Sequence, residues 1–337
     1  MPRDESGDFL YQPFENDVAR TRQVNEDETR HAVILRERID MEDGTYYDVT
    51  STLAKNRTID IGIVATSAWL TQDRGINQDR ALRAARIGID TVFVSPQQNL
   101  SRRGRFGKSV CNMIRIADHL HLRHDRDPDN LWLDGISRGG MHALGITAKA
   151  PHIDNKQVIY GDYTVPCFPD GIQPSKDIAL LPKLIGNELG ASTALLRLPF
   201  SALKHYPQTV PLNPKKQFQQ FKEVPVLLSG QVGNAARNMP VETFGHVTNY
   251  LGDIMGQGSR WAPILEPYDN VTVENFKGGG HVSMVSSRCQ EKWEARIRAV
   301  HEVLESHPQI AALGPAALAA AVRDNNADIF KHRPIAA

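Results

Sequence analysis

Residues 131–150, LWLDGISRGGMHALGITAKA, have the types and spacing that nucleophilic chemistry needs. An apolar run typical of a buried strand leads into Gly135-x-Ser137-x-Gly139, and a helix-like segment follows and stops at Pro151. In this order of strand, motif and helix, a sharp turn places the serine side chain on top of the sheet. The glycines let strand and helix approach closely, and the positive end of the helix favours a developing negative charge. We therefore predict that Ser137 is a nucleophile.

A serine hydroxyl is a poor nucleophile at neutral pH and needs a base within hydrogen-bonding reach. His281 ends the sequence FKGGGH, directly after the last predicted strand and before the last predicted long helix. Three glycines make a loop without bulk, which can bring an imidazole to a serine on a distant strand. We predict His281 as the general base, and the alternative is a histidine with only a structural role in its loop.

The elements that must position these residues alternate between strand and helix after residue 56. The predicted strands are 31–39, 45–53, 59–65, 91–95, 131–133, 157–160, 224–229 and 271–276. The predicted helices are 78–87, 108–122, 138–149, 242–255 and 284–305. The first two strands form a hairpin, and the alternation that follows predicts a mostly parallel sheet with helices on both faces.

One block, residues 165–221, interrupts this alternation with proline-rich edges and apolar helical pieces. We interpret it as an inserted helical cap that covers the carboxyl ends of the strands and binds the apolar part of a substrate. The alternative is a helical excursion that contacts no ligand. The predicted organisation is an N-terminal arm at 1–30, a core at 31–164 and 222–310 around the cap, and a C-terminal tail at 311–337.

The composition and charge of the chain limit the classes of protein to which it could belong. The 337 residues carry a formal net charge of +0, and 41% are hydrophobic, which is ordinary for a globular chain with a large core. Charge balance gives no general attraction to nucleic acid or acidic membranes. The 3 cysteines form no Cys-x-x-Cys pair, which fits a reducing compartment. Without an evident signal peptide or membrane span, we expect a cytoplasmic protein, and the aromatic residues of the arm make a homo-oligomer conceivable.

The hairpin, the βα alternation, the Gly-x-Ser-x-Gly after its third strand and the Gly-Gly-His after its last strand resemble the α/β-hydrolase fold. The resemblance covers about residues 31–307. It implies a doubly wound, mostly parallel sheet, a serine esterase or lipase, and the chain order nucleophile, acid, histidine. Ser137 matches the nucleophile and His281 the base. No cofactor is implied.

The acid of the triad departs from the family pattern. The family usually has a carboxylate in the loop after the strand predicted at 224–229, and residues 230–240 contain none. Asp162, after the strand 157–160, is our first choice, Glu242 is the second, and Asn234 could orient the imidazole without charge. Loss of the anion can cost about 10⁴ in turnover, which weighs against Asn234. Asp162 could also be a turn residue, and Glu242 a helix N-terminal charge.

Acyl transfer also needs hydrogen-bond donors for the oxyanion, each worth about 10²–10³ in rate. The backbone N–H of Arg138, next to the nucleophile, is one donor. The second should come from the loop after 59–65, and we choose Ser67, with Ala68 as the alternative. The family often has His-Gly in this loop, and the present chain has Ser67-Ala68.

The remaining signals are weaker. His119, His121, His124 and Asp125 suggest a metal, but no second cluster completes four ligands, so we predict no metal site. The sequence therefore predicts a hydrolase acting on a small-molecule or lipid-like carboxylic ester. An acyltransferase or thioesterase would use the same residues. A non-catalytic binding protein on this scaffold is the rival, and it is supported by the missing acid.

Overall fold

A computed structural model describes most of the core of the chain. It covers residues 17–66, 76–95, 105–153, 155–165, 169–170, 182, 186, 230–250, 260–276, 286–326 and 328–330. The described strands form one sheet of nine in the order β1-β2-β3-β5-β4-β6-β7-β8-β9. The strands are β1 (Val18–Glu28), β2 (Ala32–Met41), β3 (Tyr46–Ala54), β4 (Ile63–Thr66), β5 (Thr91–Ser95), β6 (Asn130–Ile136), β7 (Gln157–Thr164), β8 (Gly245–Tyr250) and β9 (Val271–Phe276).

The described helices connect and flank these strands. They are α1 (Ile76–Arg86), α2 (Arg105–Arg123), α3 (Arg138–Lys149), α4 (Gln231–Arg237), α5 (Ala262–Leu265), α6 (Ser287–Ser306) and α7 (Pro315–Asn325). Two short 3₁₀ helices, Ala150–His152 and Pro308–Leu313, follow α3 and precede α7. Within the described residues, no helix combines the length and the apolar character needed to cross a bilayer.

The structure confirms the predicted hairpin and the parallel sheet. Strands β1, β2, β3 and β5 pair antiparallel in that order. From β5 to β9, each neighbouring pair is parallel. The carboxyl ends of the parallel strands therefore meet at one edge of the sheet, where ligands of open α/β sheets bind.

Helices cover both faces of the sheet, as the alternation predicts. One apolar cluster joins the sheet to α2, α3, α4 and α5, and it includes Leu120, Met141 and Ala235. A second cluster lies on the opposite face and joins the sheet to α1, α6 and α7, with Trp293 and Val300 fully buried in it. The sheet is thus the middle of three layers, and its interior strands are buried on both sides.

The region after the cap differs from the prediction. Residues 242–255 were expected to form a helix, but Gly245–Tyr250 form β8, which pairs in parallel with β7 and β9. Val247 and Thr248 are β-branched and Tyr250 is aromatic, and such residues suit a strand that is paired on both sides. The strand predicted at 224–229 lies outside the described residues.

Strand β7 is also longer than predicted. The strand was predicted to end at residue 160, directly before Gly161-Asp162, but it runs to Thr164. Strands β6 and β8 pair with β7 on both of its edges. This pairing stabilises the extended conformation of Gly161 and Asp162, although both have low strand propensity. Asp162 therefore lies within the sheet.

The described residues include parts of the predicted arm and of the predicted tail. Val18–Glu28, within the arm predicted at 1–30, form the exposed edge strand β1. At the other end, α7 packs on α6 and buries Leu318, Ala319 and Val322. The predicted cap at 165–221 lies almost entirely outside the described residues, so its helical character stays a prediction.

Candidate active site

Ser137 lies on a sharp turn at the carboxyl end of β6, immediately before α3. Its backbone has φ 60° and ψ −122°, in a region that non-glycine residues rarely adopt. Such strain persists only where the surroundings fix it, and it is concentrated at functional sites. The side chain is buried, with 2% of its surface exposed, and it lies at the positive end of the α3 dipole.

The glycines around Ser137 are required by close packing. A Cβ on Gly135 would lie 2.5 Å from the carbonyl oxygen of Gly139. A Cβ on Gly139 would collide with the carbonyl of Thr66, and a Cβ on Gly140 with the carbonyl of Thr164. The absence of side chains at these positions lets α3 start directly against the ends of β4 and β7.

Two threonines at the ends of neighbouring strands hold this turn. The backbone N–H of Ser137 donates to the carbonyl oxygen of Thr164 at 2.8 Å, which extends the β6–β7 ladder by one step. The hydroxyl of Thr66 donates to the carbonyl oxygen of Gly139 at 2.6 Å. These contacts were not anticipated from the sequence, because they join residues far apart in the chain.

Arg138 is the first residue of α3, so its amide lies beside Ser137 at the start of the helix. Its side chain is buried. One turn later, His142 donates from Nδ1 to the carbonyl oxygen of Arg138 at 3.0 Å, and its ring lies 5.2 Å from that of Phe106. His142 is therefore a packed residue of the helix.

Asp162 forms a buried ion pair with Arg296 of α6. The Nε and Nη2 atoms of Arg296 donate to its two oxygens at 2.6 and 3.2 Å. Burial by itself would raise the pKa of Asp162, but the Arg296 charge holds that pKa below its ordinary value. The carboxylate faces the layer of α1 and α6. The alternative interpretation of Asp162 as a turn residue is wrong, because Asp162 lies within β7. Its assignment as the triad acid stays a prediction.

A second carboxylate, Asp134, lies beside Asp162 on β6. The two residues are in register across the β6–β7 pair. Asp134 accepts two bonds from Nη1 of Arg80, at 2.9 and 3.1 Å. Burial raises the pKa of Asp134 even though Arg80 opposes the shift. A charged residue within the apolar sequence LWLDG was the signal for this buried pair.

The two alternatives to Asp162, which are Glu242 and Asn234, lie in different surroundings. Glu242 is exposed and precedes the amino end of β8. It lines a surface cavity of about 360 Å³ together with His152 and Gln157, at the edge of the sheet opposite Ser137. Asn234 lies in α4, where its Oδ1 accepts a bond from Arg237 at 3.2 Å. The topology therefore separates Glu242 from Ser137.

His281 and Ser67 lie outside the described residues. Strand β9 ends at Phe276, five positions before His281, and β4 ends at Thr66, directly before Ser67. Both strands end at the edge of the sheet where β6 leads into Ser137. Their assignment as base and oxyanion donor stays a prediction. Among the described residues, no group of three or more His, Cys, Asp or Glu could hold a metal ion.

The position of β8 changes which residue follows the strand before the last one among the described strands. The resemblance implies a carboxylate after the strand that precedes the last one. In the structure that strand is β8, which ends at Tyr250, and the first carboxylate after it in the sequence is Asp253. Asp253 lies outside the described residues. It was overlooked because residues 242–255 were assigned to a helix.

Comparison with solved structures agrees with this topology. An arylesterase superimposes with a TM-score of 0.52 at 14% sequence identity, covering 88% of this chain and 87% of its own. An acetyl xylan esterase from Paenibacillus sp. R4 gives 0.54 at 13% identity, covering 86% and 89%. A Rhizomucor miehei esterase gives 0.54 at 13% identity, covering 82% and 84%.

The sequence alone does not reveal these similarities. No protein-family model matches it, and no curated protein does. At 11–14% identity, the structural similarity shows a common architecture. The sheet order, the parallel strands from β5 to β9 and the strained serine turn between β6 and α3 agree with it. The chain has the α/β-hydrolase fold.

Proposed function

We propose that this protein is a serine hydrolase that cleaves a carboxylic ester. The observation that carries the proposal is the backbone of Ser137, which has φ 60° at the junction of β6 and α3 and is enclosed by Gly135, Gly139 and Gly140. A serine whose only role was to begin a helix would not need this strain, which costs about 1–3 kcal/mol. Three solved structures of the same fold are named as esterases, which favours ester substrates.

The proposed reaction has two steps. Ser137 Oγ attacks the ester carbonyl while His281 accepts its proton, and the oxyanion is stabilised by the N–H groups of Arg138 and Ser67. His281 then returns the proton to the leaving alcohol, which leaves an acyl group on Ser137. In the second step, water loses a proton to His281 and attacks the acyl carbon, and the carboxylic acid leaves as the proton returns to Ser137.

The third member of the proposed triad is the acid that orients His281. We propose Asp253 for this role. The carboxyl end of β8 is two strands from that of β6, and three residues span at most about 10 Å. Asp162 is the alternative, but both its oxygens already bond to Arg296, and the exchange would cost that ion pair.

Labelling with a fluorophosphonate tests the proposal. We expect one covalent adduct on the intact protein by mass spectrometry, and we expect none on Ser137→Ala. Ser109→Ala is a matched control, because Ser109 is buried in α2 on a different segment. Absence of an adduct on folded wild-type protein, with both a fluorophosphonate and a smaller sulfonyl fluoride, would contradict the proposal and favour a non-catalytic binding protein.

Ester hydrolysis is then measured with a series of p-nitrophenyl esters of increasing acyl length. We expect release of p-nitrophenol by the wild type and its loss in Ser137→Ala. Adduct formation without turnover of any ester in water, but with transfer to an added alcohol, would assign the protein as an acyltransferase instead.

A further inference from the structure

Two buried arginines join the helices of one face to the strands that present Ser137. Arg80 of α1 binds both oxygens of Asp134 on β6, and Arg296 of α6 binds both oxygens of Asp162 on β7. All four residues are no more than 6% exposed. Because Asp134 and Asp162 are in register, the two ion pairs lie side by side on the same face of the sheet.

The carboxylates lie close in sequence to the contacts that fix the turn. Asp134 lies on β6, three residues before Ser137. Asp162 precedes Thr164 by two residues on β7, and the Thr164 carbonyl accepts the Ser137 N–H. Each ion pair thus holds one of the two strands whose ends define the position of the serine.

The arginines lie on the helices that follow the two other predicted catalytic segments. Helix α1 begins at Ile76, nine residues after Ser67, and α6 begins at Ser287, six residues after His281. Arg80 thus connects α1, the helix that follows Ser67 in the sequence, to β6. Arg296 connects α6, the helix that follows His281, to β7.

The two ion pairs belong to one network. Arg80 Nε donates to Oε1 of Gln290 at 2.8 Å, and its guanidinium lies 4.7 Å from the centre of the Trp293 ring. Gln290, Trp293 and Arg296 follow at intervals of three residues along α6 and face the sheet. The helices α1 and α6 are therefore held relative to each other as well as to the strands.

Stability alone does not explain such a network. Replacing a buried ion pair with apolar residues of similar volume is often neutral or stabilising, whereas a pair defines one geometry. We propose that Arg80 and Arg296 are positioning residues, which set the Ser137 hydroxyl against the oxyanion donors and the base. This inference rests on the proposed serine hydrolase function.

The test uses double variants that remove both charges of a pair. In Arg80→Met/Asp134→Leu and in Arg296→Met/Asp162→Leu, we measure the second-order rate constant of fluorophosphonate labelling and the thermal midpoint. We expect folded proteins whose labelling is about 10–100-fold slower, the effect of misplacing a reacting group by about 1 Å. The matched control is Lys156→Met/Asp118→Leu, which removes a partly buried pair of 2.8 Å outside the network and should keep the wild-type rate.

Wild-type labelling rates in both network variants would overturn the proposal. Slow labelling only in the variant that lacks Asp162 would also overturn it, because that result would assign Asp162 as the triad acid. If a double variant does not fold, the single variants Arg80→Lys and Arg296→Lys replace it and keep the charge. Arg80→Lys loses the bond to Gln290, and Arg296→Lys loses the two-nitrogen contact with Asp162. A wild-type labelling rate in both single variants would overturn the proposal equally. A wild type that does not react would instead contradict the serine hydrolase function itself.

Discussion

The hydroxyl of Thr66, the last residue of β4, donates to the carbonyl oxygen of Gly139 in the first turn of α3 at 2.6 Å. A Cβ on Gly139 would overlap the Thr66 carbonyl. We therefore expect Gly139→Ala to push α3 away from β4, to cost about 1–3 kcal/mol of unfolding free energy and to slow fluorophosphonate labelling. Urea denaturation and labelling rates check this. Gly62→Ala is the control, because a Cβ there would come no closer than 3.4 Å to any atom of the described residues.

The positive φ of Ser137 predicts an unusual order of stability for two inactive variants. Ser137→Gly relieves about 1–3 kcal/mol of backbone strain in the folded state. The greater conformational freedom of glycine in the unfolded chain lowers the free energy of unfolding by about 0.5–1 kcal/mol. Ser137→Ala keeps the strain. We expect the glycine variant to be more stable by about 1 kcal/mol in urea denaturation. A more stable alanine variant would contradict the strained backbone.

The acid assignment predicts different losses for two asparagine substitutions. We expect Asp253→Asn to lower kcat by about 10⁴ with little change in thermal midpoint, because the imidazolium loses its anion. Asp162→Asn leaves Arg296 buried without its anion, which costs about 3–5 kcal/mol of stability. Its kcat per folded molecule should fall by only about 10–100-fold through misplacement.

The reverse order of kcat losses would assign Asp162 as the acid and reject Asp253. The two variants are compared at a temperature where both are folded, as judged by near-ultraviolet circular dichroism. This separates the loss of a catalytic group from the loss of folded protein.

Burial and the Arg296 charge lower the pKa of His246 to about 3. In the unfolded chain it titrates near 6.5, so between about pH 6.5 and 3 only the unfolded chain holds this proton. The free energy of unfolding therefore falls as the pH is lowered, by about 1.4 kcal/mol per unit for this group. From pH 7 to 4.5 we expect wild type to lose about 2–3 kcal/mol more than His246→Gln. Parallel losses in urea denaturation would reject the lowered pKa.

We predict that Glu242 takes no part in the reaction. It is exposed before the amino end of β8, at the edge of the sheet opposite Ser137. We expect Glu242→Gln to keep the wild-type labelling rate and to change stability by no more than about 0.5 kcal/mol. A large loss of kcat would place Glu242 near the base and contradict the parallel register of β7 and β8.

Short-range patterns were sufficient for much of the fold. The strand 91–95, the helix 138–149 and the last strand 271–276 were predicted with the bounds that the structure has. These segments combine a clear apolar pattern with glycine, proline or polar residues at their ends, so neighbouring residues determine them. The same reasoning predicted the hairpin of β2 and β3 and the alternation that makes the sheet parallel.

Long-range pairing decided the segments that were predicted incorrectly. Gly245–Tyr250 are a strand because β7 and β9 pair with them, and Asp162 lies in β7 because β6 and β8 extend that ladder. Strand propensity depends on such neighbours, which a local window does not contain. Both segments bear on which residue is the acid of the site, and that assignment stays a prediction.

The sequence by itself determined the nucleophile candidate, because a glycine motif between an apolar strand and a helix is a local signal. Only the tertiary structure revealed what surrounds it: Thr66 and Thr164 against the glycines, and Arg80 and Arg296 on the carboxylates beneath. Hydrogen bonds and ion pairs join residues far apart in the chain once strand order is fixed. The strand order cannot be derived from local patterns in the sequence, so these hydrogen bonds and ion pairs could not be predicted from the sequence.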